Sequence, residues 1–189
     1  DLGEMQPRAD RRPGPLALRV WGLSRGDAVR DVCFEVRQGE ILGLAGLMGS
    51  GRTETLRAVF GADRPDRGAV FLGGSDAPAR IRSPRDAVRR GLALLTEDRK
   101  QQGLLLPLSV RVNATLARLR DVARLGQWIR PARERDVAER LAAALAVRCR
   151  STEQRVAELS GGNQQKVVLA RWLYRDCPVL LFDEPTRGI

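Results

Sequence analysis

The chain has 189 residues, 43% of them hydrophobic and 30% charged, which excludes a fibrous or disordered protein and suits one medium domain or a core with a small inserted subdomain. It carries a net charge of +10 and no histidine, so Ser-His-Asp triads, histidine-ligated zinc and imidazole acid–base chemistry are ruled out. No stretch approaches the roughly 18–20 apolar residues that span a bilayer.

Residues 1–15 are polar and proline-rich and read as a linker; they hold no apolar core of a secretory signal. LALRVW (16–21) and DVCFEVR (31–37) alternate as strands, and a Gln38-Gly39 turn follows. EILGLAG (40–46) is a short apolar run, expected to be a strand buried on both faces. Glycines come next, then TETLRAVFG, which has helical spacing and stops at Gly61. AVFLGG (69–74) is a strand ending in a turn. SPRDAVRRG (83–91) is a helix with Ser83 as cap, Pro84 at its first position and Gly91 as its stop. LALLTE (92–97) is a buried strand.

From Asp98 to Arg150 strand signals vanish, and the segment reads as an all-helical insertion. Within it, residues 131–147 carry Val137, Leu141 and Leu145 on one face. Residues 160–174 form a second helix, and PVLLFDEP (178–185) returns to a buried strand. The three cysteines, Cys33, Cys149 and Cys177, lie far apart and are expected to be reduced thiols in the core. Arginine supplies all but two of the 33 basic residues, the exceptions being Lys100 and Lys166. The charge favours an anionic partner, though its scatter and the 4% aromatic content do not mark a nucleic-acid surface.

Three motifs carry chemistry. Gly46, Gly49, Ser50, Gly51, Arg52 and Thr53 keep P-loop spacing after a strand and before a helix, with arginine where lysine normally stands. Such glycines let the backbone curl so that its amides face phosphate, and the helix start adds its dipole. The Thr53 hydroxyl suits Mg²⁺. An apolar run ending in Asp183-Glu184 puts one carboxylate beside the metal and a second in reach of an attacking water. Ser160, Gly161 and Gly162 open a helix and make a second anion-seeking N-terminus.

In order and spacing these motifs resemble ATP-binding cassette (ABC) ATPases. GEILGLAGLMGSGRTE, LLTEDRKQQGLLLPLSVRVN, ELSGGNQQKVVLARWL and DEPTRGI look like the second cassette of the tandem ATP-binding subunits of bacterial sugar importers (ribose, galactose, arabinose and xylose class). The resemblance covers residues 16–189 and implies an α/β P-loop fold. That fold has a mostly parallel core sheet, an antiparallel β-subdomain and an inserted helical subdomain. It divides the chain into a linker (1–15), a nucleotide-binding core (16–97), a helical subdomain docking on a permease (98–158) and a returning helix and strand (159–189). It also implies that residues 46–53 bind the ATP phosphates, that Thr53 and Asp183 hold Mg²⁺ and that Glu184 is the catalytic base. Glu97 stands where many cassettes place a glutamine that touches metal and water. Ser160, Gly161 and Gly162 would contact the γ-phosphate of ATP held by another cassette.

The implied partners are that second cassette, the transmembrane permease and, indirectly, a periplasmic sugar-binding protein, with nucleic acid not among them. The implied location is peripheral, on the cytoplasmic face of the membrane. The motif ending at Ile189 is normally followed by further strands, so the chain reads as part of a longer tandem protein. Arg52 keeps the lysine's charge but not its geometry, predicting ATP binding with slow hydrolysis. Trp21 is a candidate for adenine stacking, with core packing the competing expectation, and Arg25 a cationic alternative. Two other readings stay open: a soluble ABC ATPase acting on nucleic acid or ribosomes, and a catalytically weak regulatory cassette.

Overall fold

The computed structural model describes residues 13–125 and 127–184; most of the expected linker and the last five residues lie outside them. The chain divides into two compact units, the first ending at Arg90 and the second starting at Gly91.

In the first unit, β1 (Leu16–Arg25) and β2 (Val29–Arg37) form an antiparallel hairpin. The α1 helix (Arg52–Val59) follows the glycine loop, and β3 (Arg67–Leu72) pairs antiparallel with the other edge of β1. The sheet order is β2-β1-β3. Central β1 buries Leu18, Val20 and Leu23, while α1 buries Leu56, Ala58 and Val59 and packs on β1 and β2. Each buried leucine and valine contributes about 1.5–3 kcal/mol of transfer free energy. The α2 helix (Pro84–Arg89) is capped as its sequence predicts: the Ser83 hydroxyl accepts the Asp86 N–H at 3.3 Å, with Pro84 at the first position.

The second unit begins with β4 (Leu92–Leu95), all four residues buried. A single π-helical turn (Arg99–Gly103) leads to α3 (Val110–Thr115) and a 3₁₀ stretch (Leu116–Val122). Then come β5 (Ala123–Arg124), β6 (Trp128–Ile129), α4 (Pro131–Ala144), α5 (Gly161–Arg175) and β7 (Val179–Phe182). β4 and β7 pair in parallel, from Leu92↔Val179 to Leu95↔Phe182. The core of this unit gathers Leu95, Leu104, Val110, Val156, Leu159, Val167 and Val168.

Several expectations need correction. Residues 40–46 form no strand, and Ile41 and Leu42 are exposed. An apolar run becomes a strand only when neighbours accept and donate its backbone hydrogen bonds, and none of the described strands pairs with it. Instead Glu40 closes the preceding turn, its carboxylate accepting the Arg37 N–H at 2.7 Å. The helical block is interrupted by the short β5–β6 hairpin. β7 is only partly buried, with Phe182 exposed. Trp21 is 65% exposed and packs in no core, because the alternation that buries Val20 turns Trp21 to the other face of β1. Cys33 is exposed as well, so of the three free thiols it is not a core residue.

Candidate functional site

The P-loop lies in the first unit. Gly49 and Gly51 have φ of 78° and 86°, in the region that side chains disfavour. At Gly51 a Cβ would lie 1.9 Å from the Ala28 carbonyl oxygen, and at Gly46 it would lie 2.5 Å from Ser50 Oγ. Only glycine fits at position 51, where the obstacle is backbone; at position 46 a side chain would require the Ser50 hydroxyl to turn away. Leu47 carbonyl accepts the Ser50 N–H at 3.1 Å and makes the turn. The Gly51 carbonyl accepts both the Thr55 N–H (2.8 Å) and the Thr55 hydroxyl (2.7 Å), which ties the loop to α1. Arg52 and Thr53, both half-buried, are the first two residues of α1, where backbone amides lack intrahelical acceptors.

The acidic residues lie in the second unit. The parallel register continues beyond the strands, since the Asp183 N–H donates to the Leu95 carbonyl at 2.9 Å. Glu97 and the Asp183-Glu184 pair therefore leave the sheet at the same carboxyl edge, on strands spaced about 4.8 Å apart. That edge is where open α/β sheets bind ligands. Asp183 is buried and Glu184 half-buried. Glu184 has φ of 45°, a left-handed conformation that costs a non-glycine residue about 1–3 kcal/mol. Among the described residues no group of three or more His, Cys, Asp or Glu side chains forms a metal cage. A single buried carboxylate such as Asp183 still fits magnesium, which takes one or two carboxylates and fills its octahedron with phosphate oxygens and water.

The third motif opens α5. Ser160 is its cap residue, yet its side chain accepts from none of the helix amides. Instead Asn163 Nδ2 donates to Ser160 Oγ at 2.9 Å. The orientation of that carboxamide is set by its other end: Asn163 Oδ1 accepts the Arg148 backbone N–H at 2.8 Å, and a backbone N–H can only donate. The Ser160 oxygen is thus an acceptor here, and its own proton is left to be donated. Neither Gly161 nor Gly162 takes a positive φ; both lie in the first helical turn, so their use is small size and not backbone freedom. Lys166 Nζ donates to the Ala146 carbonyl at 2.8 Å and joins α5 to the end of α4.

Asn163 was missed by the sequence reading. Its signal was its place three residues after the cap, the spacing at which a side chain reaches back to a helix start. Glu97, Asp183 and Glu184 come together at one sheet edge, and Ser160, Gly161 and Gly162 together at one helix start. Gly46, Gly49, Ser50, Gly51, Arg52 and Thr53 form the one loop.

A glycine loop feeding a helix, and acidic residues at the carboxyl edge of parallel strands, define the class of P-loop α/β nucleotide-binding folds. The ABC transporter family model matches residues 29–187, and the chain belongs to that family. The fold is similar to a dimeric ATP-binding cassette in a post-hydrolysis state bound to ADP and Pi, with a TM-score of 0.73 at 21% identity over 91% of this chain and 75% of that one. It is also similar to a nucleotide-free cassette from an ABC transporter (TM-score 0.71, 18% identity, 92% and 71% covered).

Ribose import ATP-binding protein RbsA 3 of Rubrobacter xylanophilus is 53% identical over 100% of this chain and 37% of its own length. A Rhizobium meliloti protein with the provisional name of ribose/galactose/methyl galactoside import ATP-binding protein 1 is 51% identical over 96% of this chain and 36% of its own. The chain thus spans little more than a third of the length of these curated relatives.

Proposed function

We propose that this chain is an ATP-binding and hydrolysing module that energises monosaccharide import, working at the cytoplasmic face of the membrane with a second cassette and a transmembrane permease. A periplasmic sugar-binding protein is the indirect partner. Residues 98–158 act as the helical subdomain that docks on the permease. Among the described residues no helix is long and apolar enough to cross a membrane. The observation that carries the reading is the parallel register that brings Glu97 and Asp183-Glu184 to one sheet edge. Identity of 51–53% to sugar-import ATP-binding proteins supports the substrate class.

In this reading the loop 46–53 cradles the triphosphate with backbone amides, and Arg52 adds positive charge. Thr53 and Asp183 would hold Mg²⁺, which would supply positive charge against the phosphate. Glu184 orients the attacking water and takes its proton, and Glu97 lies beside it as a second polar contact to water. The Ser160 hydroxyl, its oxygen already occupied by Asn163, donates to the γ-phosphate of ATP on the facing cassette, where Gly161 and Gly162 bring the backbone close.

The guanidinium of Arg52 is larger and flatter than an ammonium, so it keeps the charge and loses the fit beneath the phosphates. Hydrolysis at this site is therefore slow, and Arg52→Lys in the complete subunit raises it by about tenfold, or ~1.4 kcal/mol of barrier. The test is Mg·ATP turnover of the complete subunit in membranes with its permease, with and without candidate pentoses. Glu184→Gln is compared with the matching change in the other cassette. Loss of all turnover from Glu184→Gln alone would overturn the reading that this site is the slower of the two. Turnover that ignores both permease and sugar would overturn the import reading.

A further inference from the structure

Arg171 sits in the middle of α5 and is 9% exposed. Among the described residues it takes part in no ion pair with a carboxylate. Burial lowers its pKa to about 10, so it remains a cation at neutral pH. A buried cation without an anion is costly, and a leucine or methionine would fill the same space without that cost.

What the guanidinium does is bridge. Its Nε donates to the Asn113 carbonyl at 2.8 Å, one terminal nitrogen to the Gly103 carbonyl at 2.6 Å and the other to Asn113 Oδ1 at 3.0 Å. Asn113 is fully buried and extends the connection. Its Oδ1 also accepts the Leu105 N–H at 2.9 Å, and its Nδ2 donates to the carbonyls of Leu105 and Ser109, both at 3.0 Å. One side chain of α5 thereby holds both ends of the segment between the π turn and α3. A planar fork with fixed donors spans two carbonyls ten residues apart in one set geometry, whereas an ammonium offers three rotatable donors from a single point on a flexible stem.

We propose that Arg171 is a positioning residue that makes residues 103–113 move as one body with α5, so that a displacement at the Ser160 end of α5 reaches the segment that begins at Glu97. The inference rests on the reading of α5's start as a nucleotide contact. The distance involved is one helix segment of eleven residues, roughly 16 Å.

The test uses the complete subunit assembled with its permease, with Mg·ATP as the probe and amide hydrogen exchange as the main readout. In the wild-type protein, ATP slows exchange both at the start of α5 and at Leu105, whose N–H is part of the connection. Arg171→Lys keeps the charge and most of the stem. It is expected to retain the ATP effect at the start of α5 and to lose it at least fivefold at Leu105. Permease-stimulated hydrolysis falls about tenfold while KM for ATP stays within twofold. Arg171→Met, which fills the same space and leaves the Leu105 N–H on Asn113 Oδ1, gives the same pattern and serves if Arg171→Lys does not fold.

A variant in which Leu105 still follows ATP overturns the proposal. So does one in which Tm and kcat fall and KM rises together, since that is the signature of a merely structural role. In the wild type, an ATP effect at α5 without one at Leu105 defeats this inference alone. An effect at neither place defeats the nucleotide reading and this inference with it.

Discussion

At Gly51 the backbone holds a φ of 86° and the space where a side chain would start is filled by the Ala28 carbonyl. Gly51→Ala meets both penalties; Gly49→Ala meets only the conformational one, since nothing lies within 4 Å of its would-be Cβ. The expected loss is about 1 kcal/mol for Gly49→Ala and clearly more for Gly51→Ala, read from urea midpoints. At the start of α5, Asn163→Asp keeps the acceptor for the Arg148 N–H but cannot donate to Ser160. The serine proton then turns to the new carboxylate, and the site loses a donor and gains a negative charge. Nucleotide-dependent turnover in the complete subunit falls at least about tenfold, or ~1.4 kcal/mol, with little change in Tm. An unchanged rate would show that the Ser160 proton is not used.

At the scale of elements, α3 and α4 are joined by a buried charge. Arg111 pairs with the buried Glu134 carboxylate, which also accepts the Thr115 hydroxyl at 2.8 Å. The remaining nitrogens of Arg111 grip Glu153 through Nε at 2.8 Å and Nη2 at 3.1 Å. Arg111→Ala strands Glu134 in the interior and is expected to cost about 3–5 kcal/mol in chemical unfolding. The Arg111 hydrogen bonds also hold the Glu153 carboxyl below the ordinary glutamate range. A depressed folded pKa means that the unfolded chain binds more protons just below the ordinary value of about 4.3. The stabilisation is therefore present above that pH and is lost as the pH falls through the folded value. Because Glu153 is largely exposed the effect is small, and Glu153→Gln flattens the acid limb of urea midpoints below the ordinary glutamate range. Pattern reading works where only nearby residues matter: the cap of α2 forms as expected and Val137 lies on the buried face of α4, although Leu145 falls just past the helix end at Ala144. It fails at 40–46, because an apolar run states a preference and a strand needs partners.

Across the whole molecule, family membership was legible from three short motifs in order, and so was most of the element sequence. The local chemistry of a phosphate loop is written in consecutive residues: glycines where the chain must curl and a helix start where the dipole is needed. Tertiary structure decided what residues far apart in the chain do to one another. Residues 92–95 and 179–182 are both short apolar runs, and nothing in either one states that they pair in parallel with Leu95 opposite Phe182. That register brings Glu97 to the same edge as Asp183. Nor does the sequence announce that Arg171, one of many scattered arginines, is buried against Gly103 and Asn113. Consecutive residues fix torsions and periodicity, whereas pairing register and buried polar contacts depend on which distant surfaces meet, and that is settled only when the core packs.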